Sequence, residues 1–248
     1  SSLAGVSPDL AAGSDLGTSN SDDVTSDATP DVTVDIDGIA VVAGDILQVF
    51  DGTNVVGSYT VQAGDISDGS DAFNAGEFNA GSQTITLSTL AEGTHSLTVR
   101  LQDVAGNIGT VSTTPLSIDV DTTAPSSLAG VSPDLAAGSD LGTSNSDDVT
   151  SDATPDVTVD IDGIAVVAGD ILQVFDGTNV VGSYTVQAGD ISDGSDAFNA
   201  GEFNAGSQTI TLSTLAEGTH SLTVRLQDVA GNIGTVSTTP LSIDVDTT

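Results

Sequence analysis

The sequence predicts an all-β chain: two tandem β-sandwich domains, 1–125 and 126–248, joined end to end in an extended rod. Three observations lead there. Residues 1–123 recur without a single change as residues 126–248, with Ala124 and Pro125 as the joint. Apolar residues alternate with polar ones at a period of two, the pattern of half-buried strands. Roughly seven such segments in each repeat, with no sustained helical period, make a sandwich the natural arrangement.

Within the first repeat, Val32, Val34 and Ile36 alternate with Thr33, Asp35 and Asp37 and read as a strand. Segments 46–50 and 55–61 flank Asp51-Gly52-Thr53-Asn54, where Asp-Gly is a strong hairpin turn signal. Segment 84–87 gives a short strand before the turn Ala91-Glu92-Gly93. Leu97, Val99 and Leu101 then alternate with Thr98, Arg100 and Gln102, and Leu116, Ile118 and Val120 with Ser117, Asp119 and Asp121. Residues 62–83 are rich in Gly, Asp and Asn, with Phe73 and Phe78 as their only large apolar side chains; a decorated loop or a short extra strand pair is expected. Residues 3–16 are ambiguous with a short helical stretch.

Charge narrows the function. Thirty-six Asp and Glu face two Arg and no Lys, a formal charge of -34. Nucleic acid and anionic membranes are poor partners for such a chain, because like charges repel. The acids are almost all Asp and cluster with Gly, Ser, Asn and Thr, which is the composition of oxygen-rich calcium loops. With no Cys, disulfides, thiolate metal sites and a thiol nucleophile are all absent. Each repeat has only Phe50, Tyr59, Phe73 and Phe78 as aromatics, and a core that thin leaves a role for a bound ion that stabilises the folded state by mass action. No apolar run has the length of a membrane span, and no signal segment opens the chain. The composition fits the outside of a cell, where millimolar calcium makes weak Asp sites useful.

Several motifs carry a family resemblance. Leu90-Ala91-Glu92-Gly93-Thr94-His95, then Leu97, Val99 and Asp103-Val104-Ala105-Gly106-Asn107, resemble the LxxGTHxxxVxxxDxAGN signature of bacterial Ig-like repeats. Asp119-Val120-Asp121-Thr122-Thr123-Ala124-Pro125 resembles their closing IDTTAP linker. Asp9-Leu10, 14–19, Asp22-Asp23, Thr25, Asp27 and Pro30 are similar to the opening segment of extender repeats in giant RTX-type bacterial adhesins. The resemblance implies Ig-like sandwiches serving as a calcium-rigidified spacer of a surface adhesin, secreted by a type 1 system, at the bacterial cell surface. RTX nonapeptides are absent from this chain.

The topology that the family implies sorts the acids between two poles of each sandwich. Asp9, Asp15, Ser19, Asp22, Asp23 and Asp27 form one expected calcium loop, with Asp134, Asp140, Ser144, Asp147, Asp148 and Asp152 as its second copy. Asp35, Asp37, Asp103 and Asn107 are expected at the amino-terminal pole. At the joint, Asp119 and Asp121 are expected near Asp160, Asp162, Asp228 and Asn232, with Asp244 and Asp246 as the corresponding acids at the end of the second repeat. Asp65, Asp68, Asp71 and Glu77 form a further cluster for which solvation is the simpler expectation. Arg100 and Arg225 are expected to face outward in surface ion pairs with a neighbouring Asp, and His95 and His220 to be structural.

No enzymatic activity is expected: paired carboxylates could serve a glycosidase, but there is no Trp to form a sugar platform. A calcium-dependent, lectin-like module acting through multivalent repeats is the rival. Identical neighbouring repeats in the same chain are the expected partners, with no nucleic acid, no membrane contact by this segment and no obligate oligomer.

Overall fold

Period-two alternation decides which side chains leave each strand toward the core, and the computed structural model, which describes residues 2–248, follows it. The chain divides into two units between Thr122 and Thr123. The first contains β1 (Asp9–Leu10), β2 (Val24–Thr25), β3 (Asp31–Val34), β4 (Ile46–Asp51), β5 (Asn54–Thr60), β6 (Gln83–Thr86), β7 (Gly93–Gln102) and β8 (Leu116–Val120). The second repeats them as β9 (Asp134–Leu135), β10 (Val149–Thr150), β11 (Asp156–Val159), β12 (Ile171–Asp176), β13 (Asn179–Thr185), β14 (Gln208–Thr211), β15 (Gly218–Gln227) and β16 (Leu241–Val245).

Each unit is a two-sheet sandwich. One sheet has the order β1-β3-β6 and the other β2-β8-β7-β4-β5; all pairings are antiparallel except β2 with β8. Val32, Val34 and Ile85 of the first sheet pack against Leu47, Val49, Leu97, Val99 and Ile118 of the second. Phe78 is fully buried and stands edge-on to Tyr59 with ring centroids 6.5 Å apart.

Several boundaries differ from the sequence reading, each for a local reason. β3 stops at Val34 because Asp35 accepts the Asp37 N–H at 2.9 Å, turning the chain out of the ladder. β7 begins at Gly93, earlier than its apolar alternation, because its first residues pair with β8. The hairpin turn contracts to Gly52-Thr53, and a bulge leaves Val56 as the extra residue, since Val49 opposes Gly57 while Phe50 opposes Val55. Segment 62–83 is a small lobe: a single 3-10 turn at Ala63–Asp65 and isolated bridges from Ile66 to Phe78 and Ala40 to Glu77, with no regular strand pair. Residues 3–16 hold β1 and turns, with no helix.

Register defines two ends of each sandwich. At the exit end, Gly93 pairs with Val120, and Thr25 lies beside Val120. At the entry end, Gln102 pairs with Ile46, and Val34 with Gln83.

Candidate cation sites

The exit-end loop is folded by its own hydroxyls. Ala11 N–H donates to the Asp31 carbonyl at 2.9 Å, and the Ser14 and Asp15 N–H groups turn back to Ala11 O at 2.7 and 3.0 Å. Ser14 Oγ accepts the Asp31 N–H at 2.9 Å, while Thr25, fully buried, donates its hydroxyl to Ser14 O. These bonds fold residues 11–25 into a pocket of about 330 Å³ lined by Asp9, Asp15, Asn20, Ser21, Asp23 and Thr33. The same pocket, about 340 Å³, recurs around Asp134, Asp140 and Asp148. No basic side chain lines either one.

Asp15 is the buried acid of this pocket, 7% exposed, and its Oδ1 has no hydrogen-bond partner; Asp140, 5% exposed, repeats both properties. Burial raises the Asp15 carboxyl above its ordinary range, and the charges of Asp22, Asp23 and Asp9 add to the rise. Asp23 is raised in the same direction by burial, Asp9 and Asp22, as Asp148 is by burial, Asp134, Asp140 and Asp147. Three carboxylates, Asp9, Asp15 and Asp23, thus line one pocket with no basic side chain in it, which suits them to a hard, oxygen-seeking cation that draws them together. Among the described residues, no three acidic or histidine side chains already converge to hold a metal.

Other members of the expected loop have different tasks. Asp27 accepts the Thr29 N–H at 2.8 Å and the Ser14 hydroxyl at 3.3 Å, which makes it part of a turn; Asp152 repeats the bond to Thr154. Ser19 is paired with Ser21 Oγ at 3.3 Å, and Ser144 with Ser146 at 3.4 Å. Asp22 and Asp147 each accept the N–H two residues on.

At the entry end the expected group separates into two. Asp37 accepts the Gly81 N–H at 2.9 Å, and Asp162 the Gly206 N–H, so these acids fasten the lobe to the end of β3 and β11; Asp160 repeats the Asp35 turn with Asp162. Asp103 closes its own loop, accepting the Asn107 N–H at 2.7 Å, the Ala105 N–H at 3.0 Å and the Asn107 amide at 2.8 Å. Those bonds, the Asn107 amide first, hold its carboxyl below the usual range. Asp228 and Asn232 make the same loop.

Asp103 and Asn107 instead share a pocket of about 350 Å³ with Asp45, an acid the sequence reading missed. Asp45 is 7% exposed; its Oδ2 accepts the Val42 N–H at 3.0 Å and its Oδ1 has no hydrogen-bond partner. A lone Asp directly before a strand reads as a turn residue, so only its burial marks it. Asp119 lies within 3.5 Å of the Thr94 hydroxyl. Asp121 and Asp246 donate their backbone N–H groups to Thr25 and Thr150, and Asp244 its N–H to Asp148, which ties β8 and β16 to the acid loops.

The remaining cluster is consumed by hydrogen bonds. Asp65 accepts the Tyr59 hydroxyl at 2.6 Å, and that bond, with burial, pushes the phenol up to about 12. Asp71 accepts from Phe73 N–H, Ser67 and Asn79, and Glu77 from Asn74. The arginines correct the expectation of surface ion pairs: Arg100 stacks on Phe50, 3.6 Å from the ring centroid, and Arg225 stacks on Phe175 at 4.1 Å and donates to Gln173. The ion pairs found among the described residues are those of His95 with Asp51 and His220 with Asp176. Stacking won because alternation along β4 puts Phe50 on the outer sheet face with Gln48, which opposes Arg100 in an unbroken register, so the guanidinium finds a ring beside it.

No curated protein matches the chain. Among solved structures, it resembles the fibronectin(III)-like modules of CbhA from Clostridium thermocellum at 13% identity and a TM-score of 0.44, over 90% of this chain and 87% of that one. It also resembles a Ca2+-stabilized adhesin with which an Antarctic bacterium binds ice, at 19% identity and a TM-score of 0.38, over 97% of this chain and 48% of that one. The BSP domain of a biofilm associated protein matches at 18% identity and a TM-score of 0.27; 91% of this chain is covered, and the chain spans 29% of that protein. The bacterial Ig-like domain family matches residues 2–122 and again 127–247, and the chain belongs to that family as two such domains in tandem.

Proposed function

We propose that this chain is part of an extracellular bacterial surface adhesin, in which each Ig-like repeat is a calcium-stiffened spacer that adds length between the cell and a distant binding domain. The reading is carried by the buried, unpartnered Asp15 oxygen in a pocket with Asp9 and Asp23, repeated at Asp140 with Asp134 and Asp148. Calcium takes six to eight oxygens at about 2.3–2.6 Å in irregular geometry. A cation entering the pocket would draw these carboxylates inward, cancel their repulsion and give Asp15 Oδ1 its missing partner. Binding only to the folded state stabilises it, by about 2.7 kcal/mol per site at a hundredfold excess over Kd. The residue-for-residue identity of the repeats supports a role in which copy number matters, and no chemical step is assigned to any residue. No helix among the described residues is long and apolar enough to cross a membrane.

The test is thermal unfolding in millimolar calcium, in millimolar magnesium and in excess chelator at one ionic strength, for the native chain and for Asp15→Asn with Asp140→Asn. Calcium should raise the melting temperature of the native chain by several degrees and that of the variant by much less. An equal calcium response in both, or none in the native chain, would remove the site. A glycan screen in calcium addresses the lectin-like alternative, since a spacer gives no selective binding.

A further inference from the structure

His95 is held by two acceptors at once. Nδ1 lies 2.8 Å from Asp51 Oδ2, and Nε2 lies 2.8 Å from the Ala91 carbonyl oxygen; in the second repeat His220 sits 2.7 Å from Asp176 and 2.9 Å from Ala216 O. A carboxylate and a carbonyl accept hydrogen bonds only, whereas a neutral imidazole has a single N–H to offer. Both contacts are made only when the ring carries two protons. The rings are enclosed, with side chains 11% and 12% exposed. Burial opposes the charge, but the Ala91 carbonyl, the Asp51 bond and the charges of Asp51 and Asp119 outweigh it and raise the ring above 6.5; Ala216, Asp176 and Asp244 do the same for His220.

The turn that the ring grips holds the end of the repeat. Leu90 N–H donates to Ala28 O at 2.8 Å, and Gly93, at φ +108°, opens β7 in the left-handed region that only glycine enters freely. Between them, Glu92 receives the Thr122 N–H at 3.0 and 3.1 Å on its two oxygens and the Thr122 hydroxyl as well. Thr122 stands two residues past β8, where the chain leaves the first repeat. Glu217 receives the Thr247 N–H at 2.9 Å in the second copy.

We propose that His95 and His220 are imidazolium ions acting as a proton-gated clamp: the charged ring ties Asp51 of β4 to the Ala91 turn, and through Glu92 it fixes the segment by which the chain leaves each repeat. The clamp uses no metal, so the anchoring of Thr122 responds to pH independently of calcium. Asp51 and Asp119 are the charged groups that act on the ring, and each is an anion that favours its protonated form; Asp176 and Asp244 do so for His220.

The experiment follows the nitrogen-15 shifts of both imidazoles and the hydrogen exchange of the Thr122 and Thr247 amides, corrected for intrinsic pH dependence, between pH 5.5 and 9 in excess chelator. Both ring nitrogens should be protonated at neutral pH. Protection of Thr122 should then fall by about tenfold as the ring deprotonates, the scale of one charge-assisted hydrogen bond, while Val99 in the core stays protected. Glu92→Ala should abolish Thr122 protection at every pH and leave the ring titration in place. His95→Gln with His220→Gln should erase the pH step. A neutral single tautomer at pH 7 in the native chain, or Thr122 protection that is flat through the titration, would overturn the clamp. Neither result bears on calcium, because chelator is present throughout.

Discussion

Asp23 and Asp148 are the residues other than glycine with positive φ among those described, at 59° and 60°. Left-handed backbone costs an L-residue about 1–2 kcal/mol, least for Asp and Asn. Both residues also set a second charge beside the buried acid. Asp23→Asn with Asp148→Asn keeps the tolerance for that backbone and removes the charge. The expected outcome is opposite in sign in two buffers: a higher melting temperature in chelator, because Asp15 and Asp140 lose a repelling neighbour, and a smaller rise on adding calcium. A lower melting temperature in chelator would show that repulsion does not govern the pocket. His95 gives a pH dependence of definite sign. Its folded pKa lies above the unfolded value, so its stabilisation is complete below about 6.5 and is lost as pH rises through the folded pKa. Thermal unfolding in chelator should therefore show lower stability at pH 9 than at pH 6, and the histidine variants should lack that slope.

At the scale of elements, Gly57 shows how closely β5 crosses the other sheet. A Cβ there would stand 2.8 Å from Leu87 Cδ2 and 2.9 Å from Ile85 Cγ2, both in buried residues. Gly57→Ala with Gly182→Ala should destabilise each unit by about 1–3 kcal/mol, read by denaturant unfolding, because the core has to shift to admit a methyl group. The strands that carry the core were legible in the sequence because one face of each is buried, and that produces alternation. β1 and β2 were not, since two residues cannot display a period; their positions come from backbone bonds to Asp31 and β8. Asp15 and Asp23 were legible as loop acids, but their burial and repulsion arise only when hydroxyls of Ser14 and Thr25 fold the loop. Asp45 was illegible because nothing in its neighbours distinguishes a buried turn acid from a solvated one. The Arg–Phe stacks were missed although alternation puts Phe50 and Arg100 on one sheet face, because Phe50 follows the buried Val49 and reads as a core aromatic.

For the whole molecule, each unit has its own core of the same residues, so either repeat is expected to fold alone. Residues 126–248 by themselves should unfold in one cooperative transition in calorimetry, with a calorimetric enthalpy about half that of the two-repeat chain. A single repeat that stays unfolded in calcium would mean that the core alone is too small to sustain a unit. The charge of -34 also predicts a general salt effect: sodium chloride should raise stability in chelator by screening repulsion between acids. That effect should be far weaker per ion than the calcium response, and surviving in the Asp15→Asn, Asp140→Asn chain would separate screening from binding.

The two arginines have a consequence for attack by enzymes. They are the only Lys or Arg residues in the chain, and each lies within a central strand, β7 or β15, with its guanidinium laid on a phenylalanine ring. A protease that cuts after Lys or Arg finds two bonds in these 248 residues, and must first pull a middle strand out of a five-stranded sheet to reach either. Digestion therefore follows the opening of a sandwich, through its open population when reclosing is fast and through its unfolding rate when cleavage is faster. In the role proposed above, the chain is thereby shielded from trypsin-like enzymes for as long as it stays folded, and the first cut marks the moment at which a repeat has come apart.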